Sequence, residues 1–199
     1  MPSIEAIYRK IFDDSNVWTK MLIGGLLSFV PVLNIFAFGY LYRYLRNLPD
    51  YGEFHLPRWN HLQGIFIDGL KCIVVFFIYC LIPILLLWLL SFLLDHMVFS
   101  SLGWLPYTFV SIGLITTPVL FASALYQFQL DEKWENLLEL KPIVMRVLLV
   151  KEYVVVPSLA FVGLCLAGLP LFGFTFFLGM VVYLAYMYVL FISQDRGKI

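Results

Sequence analysis

Charged side chains are scarce in this sequence, and they are missing altogether from its long apolar stretches. Only 13% of the 199 residues are Asp, Glu, Lys or Arg, whereas 62% are hydrophobic. Soluble domains are about half apolar and about a quarter charged, so this composition excludes a soluble globular protein. The sequence therefore predicts an all-α integral membrane protein.

Several kinds of chemistry are also unsupported. The three cysteines show no paired spacing, and the three histidines all lie in polar or interfacial stretches, which argues against a metal or haem centre inside the bundle. The sequence contains no nucleophile elbow, metal-ligand cluster or Gly-rich phosphate loop. We therefore predict a protein that is not an enzyme and has no cofactor, apart from contact with a bound lipid, quinone or pigment.

Long uncharged windows separate the charged bands, and their lengths predict the membrane-spanning helices. A spanning helix needs about 20 apolar residues, and the last window is long enough for two helices joined by the turn GLPLFG. Transmembrane helices are predicted at residues 72–94, 107–127, 153–167 and 174–193.

The first window, residues 21–42 of the segment 18–46, is long enough to cross a bilayer but has Ser28, Pro31 and Asn34 in its middle. Lys and Arg are enriched in cytoplasmic loops, and their alternation from Arg43 onward places the C-terminus in the cytoplasm. A fully crossing first segment would leave a basic N-terminus outside, against that rule. We therefore predict a Pro-broken re-entrant hairpin with both flanks cytoplasmic. The alternative is a Pro-kinked fifth transmembrane helix.

Three charged bands carry apolar side chains at helical spacing, which predicts amphipathic helices in the membrane interface. These bands are residues 1–16, 56–71 and 132–150. Tryptophan prefers the headgroup level, so the predicted interfacial anchors are Trp18, Trp59, Trp104 and Trp134. Within the second band, Asp68 lies three residues before Lys71, a spacing that favours a surface ion pair or a cap.

Neutral polar and small residues supply the remaining candidate sites. We predict that the broken segment and a Thr-Pro kink line a polar cavity, formed by Ser28, Asn34, Thr116 and Thr117. Small residues let helices approach closely. The predicted helix-packing positions are Gly24, Gly25, Gly39, Gly163 and Ala167.

Several blocks of the sequence resemble a known family, and with the compatible later segments WENLLEL…EY and GLPLFGFTFF the resemblance covers most of the chain. The run W…K-x-L-I-G-G-L-L…P-V-L-N…G-Y-L-Y-R, from Trp18 to Arg43, is followed by LPRW at residues 56–59 and DGLK at residues 68–71. This pattern is similar to the uncharacterised prokaryotic membrane family known as domain of unknown function 4013 (DUF4013). The resemblance implies a helical bundle in a bacterial or archaeal cytoplasmic membrane, and it implies no reaction.

Two functions agree with these observations. The first is a non-enzymatic accessory or assembly subunit of a larger membrane protein complex, with the lipid bilayer and other membrane subunits as partners and no nucleic acid. The alternative is a small membrane carrier or binding protein for a lipid or other hydrophobic ligand. Apolar surface suited to another chain favours the first, and a cavity open to one face favours the second.

Overall fold

The structure, a computed structural model, describes residues 4–13, 16–51, 56–97 and 107–197, and all secondary structure in these ranges is helical. A π-helical turn, Phe77–Leu81, joins the fourth and fifth helices, and 3-10 turns at Trp134–Leu137 and Leu169–Leu171 precede the seventh and ninth. The α-helices are α1 (Ile4–Phe12), α2 (Val17–Phe29), α3 (Asn34–Tyr51), α4 (Leu62–Phe76), α5 (Ile82–Met97), α6 (Tyr107–Asp131), α7 (Leu140–Leu149), α8 (Lys151–Ala167) and α9 (Phe172–Asp195).

Three helical stretches of the described chain are long and apolar enough to cross a membrane. They are Leu62–His96, Tyr107–Asp131 and Leu169–Asp195. A fourth candidate exists if α7 and α8 are counted together, although the two helices meet at an angle of 91°. The chain is therefore an all-α, multi-pass membrane protein with three or four candidate spans. The predicted segments 107–127 and 174–193 lie within α6 and α9.

One predicted boundary differs from the structure. The sequence suggests a separate interfacial helix at residues 56–71, but residues 56–61 are not helical and α4 continues without interruption into α5. Nothing near Cys72 breaks a helix. Pro83 would clash with the carbonyl of Tyr79 in a regular α-helix. Tyr79 lies in the π-helical turn, and the extra residue in that turn accommodates the proline.

α2 and α3 form a helical hairpin, broken where Pro31 predicts. α2 ends at Phe29, and Val30 has an extended backbone with φ −101° and ψ 116°, as expected for a residue before proline. Lys20 Nζ, near the start of α2, donates to the carbonyl of Leu56 at 2.7 Å. Because Leu56 follows α3 in the chain, both flanks of the hairpin lie at the same end.

Glycines on the hairpin allow close packing on both of its sides. Gly24 and Gly25 of α2 face the rings of Phe177 and Phe174 on α9. Gly39 of α3 faces the backbone of α4, where a Cβ atom would meet the carbonyl oxygen of Ile65. Three of the predicted helix-packing positions thus make helix contacts.

Burial is uneven across the bundle. In the most apolar 18-residue window of each span, 67% of the residues are buried in Leu169–Asp195 but only 11% in Leu62–His96. The hairpin covers α9, and the large side chains of α3, α6 and α9 fill the core. Its largest fully buried aromatic side chains are Tyr40, Tyr42, Tyr44, Phe121, Phe128, Phe177, Tyr188 and Phe191.

The packing role predicted for Gly163 and Ala167 is not realised within the described chain. Both residues are exposed on α8, and no atom lies within 4 Å of the position that a Cβ would take at Gly163. The small-residue face of α8 points away from α6 and α9, so its spacing alone did not identify a packing partner.

Candidate functional site

A polar network joins α3, α4 and the end of α6. Glu132 follows α6 with a left-handed backbone, φ 51°. Its carboxylate accepts a hydrogen bond from Lys71 at 2.8 Å and forms an ion pair with Arg46 at 3.2 Å. Tyr42 donates to the same carboxylate at 3.3 Å. The hydrogen bond from Lys71 is the main cause that lowers the pKa of Glu132 below its usual range, so the carboxylate is charged at neutral pH.

The network reaches α9 through Gln129. Its side-chain amide donates to the carbonyl of Tyr42 at 2.9 Å, and the hydroxyl of Tyr188 donates to its Oε1 at 2.9 Å. Tyr126 donates to Asp195 at 2.9 Å. A cavity of about 50 Å³ lies beside these side chains, which is enough for water but small for an organic ligand. The hydrogen bonds and ion pairs of this network therefore connect α3, α4 and α9 with the C-terminal end of α6.

Asp68 pairs across helices rather than along its own helix. Its carboxylate lies 2.8 Å from Nε of Arg43 on α3, and both side chains are largely buried. Lys71, the partner suggested by sequence spacing, binds Glu132 instead. Sequence spacing could not reveal these partners, because Arg43 and Glu132 are far in sequence from Asp68 and Lys71 and come close to them only in the fold.

The tryptophans predicted as interfacial anchors differ in exposure. Trp18 and Trp134 are exposed, as an anchor requires. Trp59 stacks on Tyr40 with ring centroids 4.2 Å apart and donates to the carbonyl of Lys20 at 3.4 Å, so it also fixes the hairpin. Trp104 lies outside the described residues.

The four residues predicted to share a polar cavity are not brought together. Ser28 donates to the carbonyl of Gly24 within its own helix at 2.8 Å. Thr116 and Thr117 likewise bond back to α6 carbonyls, at 2.9 and 2.8 Å. Asn34 begins α3, and its Oδ1 is buried without a hydrogen-bond partner among the described residues.

Thr117 lines an apolar cleft of about 250 Å³ between the α4–α5 helix, α6, α8 and α9, which we call the four-helix cleft. Only apolar atoms face this space. Cys80 of the π-helical turn and Cys165 of α8 both line it, and the Cys80 sulfur is 3.7 Å from the Thr117 hydroxyl. The cleft is therefore a hydrocarbon-lined space within the predicted membrane-spanning part.

Thr116, the neighbouring residue, lines a second apolar cleft of about 300 Å³, which we call the α6–α8 cleft. Its walls come from α6, from Val147 of α7 and from one face of α8. Ser28 and Asn34 line neither cleft. The polar hydroxyls of Thr116 and Thr117 are turned to their own helix, so both spaces suit hydrocarbon rather than a polar solute.

A third space, the α8–α9 groove, has a volume of about 280 Å³ and extends from Tyr8 of α1 to Leu164 of α8. Its lining is almost entirely apolar. The hydroxyl of Tyr183 on its wall lies 3.2 Å from the buried Oγ of Ser158, so both polar groups are satisfied. Each of the three spaces borders α8.

α8 is a loosely packed helix next to all three spaces. Of its 17 residues, only Val154, Pro157 and Ser158 are buried. Among the described residues, no three His, Cys, Asp or Glu side chains are placed to hold a metal ion.

The fold and its clefts define a helical membrane protein in which a broken hairpin packs against a multi-pass bundle. Residues 23–130, more than half of the chain, match the family described as "Protein of unknown function (DUF4013)", and the chain belongs to that family. This match confirms the resemblance seen in the sequence. Searches of curated proteins and of solved structures found no match.

Sequence reasoning missed the polar network and the position of the clefts. Tyr42 and Arg46 are four residues apart and share a face of α3. Gln129 and Glu132 are three residues apart at the end of α6. That spacing is a signal for a polar face near a helix end. The clefts have no such signal, because they depend on how α8 fits against its neighbours.

Proposed function

We propose that the protein binds the hydrocarbon chain of a lipid or lipid-like molecule along α8, as a non-enzymatic membrane carrier or binding protein. The observation that carries this proposal is the set of three apolar spaces that border one loosely packed helix. Unfilled space next to apolar side chains forfeits dispersion contacts. A bound hydrocarbon chain would restore those contacts.

The size and chemistry of the clefts support a single chain as the ligand. Volumes of 250–300 Å³ are at or just below the lower end for small-molecule pockets, which begins at about 300 Å³. An apolar lining offers few hydrogen bonds, so a sugar, nucleotide or ion would lose its hydration without compensation. A hydrocarbon chain loses no such interactions.

The proposed setting is the cytoplasmic membrane of a bacterium or archaeon, with the polar network and the C-terminus at the cytoplasmic face. Basic residues cluster at that end of the bundle, among them Arg43, Arg46 and Lys71. Short cytoplasmic loops are enriched in Lys and Arg, which supports this orientation.

Photo-crosslinking tests the chain-binding proposal directly. The intact protein is placed in nanodiscs of phosphatidylcholine that carry a diazirine on one acyl chain, and the labelled peptides are identified by mass spectrometry. We expect labelling to concentrate on the cleft-facing residues of α6 and α8, because a bound chain stays there longer than bulk lipid.

Two neighbouring valines provide a matched pair of variants. Val155 lines the α6–α8 cleft, whereas Val156 is 68% exposed and lines none of the three spaces. Val155→Trp should fill the cleft and lower labelling there, and Val156→Trp should leave it unchanged. Equal labelling of both variants, or labelling spread evenly over all exposed helices, would rule out a chain-binding site in the α6–α8 cleft.

A second candidate, an accessory or assembly subunit, is favoured by one observation. α5 packs mainly on α6, and Leu85, Leu86 and Leu89 are exposed along it. Such a helix is suited to docking against another membrane subunit. Under this alternative, Leu86→Ala with Leu89→Ala would reduce a stoichiometric partner recovered in mild detergent without lowering the thermal stability of the protein.

A further inference from the structure

Lys151 lies at the corner where the chain changes direction. α7 ends at Leu149, α8 begins at Lys151, and the two helices meet at 91°. If α8 enters the membrane, a perpendicular α7 lies in the interface. Lys151 would then be at the level of lipid headgroups, where long basic side chains are stable.

The same lysine is at one end of the α6–α8 cleft. Lys151, Val154, Val155 and Ser158 all line it, and their spacing of three, four and seven residues places them on one face of α8. From the first to the last, the helix rises about 10 Å. Glu152 is one residue further along, about 100° around the helix, and does not line the cleft.

Arg146 and Lys71, two cations at the same end of the bundle, have partners. Arg146 donates to Oε1 of Gln127 at 3.0 Å and lies 4.9 Å from the centre of the Tyr126 ring. Lys71 is held by Glu132. The side chain of Lys151, by contrast, makes no hydrogen bond or ion pair with the residues that the structure describes, and only apolar atoms face the cleft. Its stem therefore lines the wall while its ammonium group is at the rim.

We propose that the α6–α8 cleft holds one acyl chain of an anionic membrane phospholipid, and that Lys151 binds the negatively charged headgroup of that lipid. This inference rests on the proposed function and adds the class of ligand. A zwitterionic headgroup would bring its own ammonium group towards Lys151, which an anionic headgroup does not. The apolar α6–α8 cleft and the unpaired ammonium group of Lys151 together match an amphiphile with a hydrocarbon chain and a negatively charged headgroup.

The experiment compares two lipids and two lysines in the intact protein. Nanodiscs contain phosphatidylcholine alone or a mixture with phosphatidylglycerol, and native mass spectrometry counts the lipids that each protein retains. Lys151→Gln removes the charge at the cleft. Lys141→Gln is the control, because Lys141 is an exposed lysine of α7 that lines none of the three spaces.

We expect the wild type to retain phosphatidylglycerol in preference to phosphatidylcholine, and Lys151→Gln to lower that preference about fivefold, the factor that corresponds to about 1 kcal/mol for one lysine near an anionic headgroup. Lys141→Gln should keep the preference. Val155→Trp should lower the retention of both lipids, because it fills the space for the chain.

Two outcomes would overturn the proposal in different ways. If Lys151→Gln and Lys141→Gln lower the preference equally, the effect is general surface attraction and the headgroup site is excluded, while retention of phosphatidylcholine would still support the proposed function. If the wild type retains neither lipid and Val155→Trp changes nothing, both the headgroup site and chain binding in this cleft are excluded.

Discussion

Replacing Gly39 by alanine tests the close crossing of α3 and α4. A Cβ at this position would meet the Ile65 carbonyl and come within 2.8 Å of the Gly69 nitrogen, and both groups belong to helix backbone. Backbone atoms cannot turn aside as a flexible side chain can. The two helices would have to separate, which strains the packing around them.

The size of the effect follows from two opposing terms. Overpacking typically costs about 1–3 kcal/mol, and replacing glycine by alanine inside a helix returns about 0.5–1 kcal/mol. Gly163→Ala is the matched control, because it gains the same helix preference while its Cβ meets no atom within 4 Å. The difference between the two variants therefore isolates the steric term, and we expect Gly39→Ala to be less stable than Gly163→Ala by about 1–3 kcal/mol.

Unfolding in mild detergent can be followed with a thiol-reactive dye in a background where Cys80 and Cys165 are replaced by alanine, because the remaining thiol, Cys72, is fully buried in the native protein. Gly39→Ala should expose it at lower temperature or lower denaturant concentration than the wild type, and Gly163→Ala should not. Equal stability of the two variants would refute the inferred contact between the helices.

Three further experiments test other parts of the structure. Glu132→Gln should destabilise the protein by less than about 1 kcal/mol at neutral pH, as expected for a partly exposed ion pair. The wild type should lose stability as the pH falls below about 4.3, the usual glutamate pKa, and Glu132→Gln should not show this loss. Unchanged acid unfolding of the variant would contradict the inference. The sign follows because a lowered folded-state pKa stabilises the protein only while the carboxylate is charged. Ser123→Ala should cost about 1 kcal/mol in thermal unfolding, because the buried hydroxyl donates to the carbonyl of Ile143 at 3.0 Å. In a cysteine-free background, Thr19→Cys and Arg58→Cys should react with an impermeant maleimide from the same side of a vesicle, and reaction from opposite sides would support a single kinked span.

The features that sequence could predict are those set by local chemistry. Pro31 removes a backbone donor and restricts Val30, so the helix break could be located before any tertiary contact was known. Pro83 has the same local chemistry but a different outcome, because a π-helical turn absorbs it. Whether a proline ends the helix, as at Pro31, or lies in a continuous helix, as at Pro83, therefore cannot be read from the residues next to it.

The clefts could not be predicted because they arise from the fit between distant helices. Thr116 and Thr117 are adjacent in sequence, and their shared polarity suggested one cavity. On a helix, however, successive residues point about 100° apart, and the two threonines line different clefts. Their hydroxyls bond to α6 itself, which removes the polar character on which the prediction rested.

The contrast between α2 and α8 explains why the spaces lie where they do. Both helices pack against α9. On α2, Gly24 and Gly25 each pack against a phenylalanine ring of α9, so α2 and α9 are in close contact. On α8 the corresponding small residue, Gly163, faces outward and meets no atom. Phe161 and Leu164 of α8 do approach Gly179 of α9 closely, but apolar spaces remain on either side of that contact. In a bilayer the available material to fill those spaces is hydrocarbon.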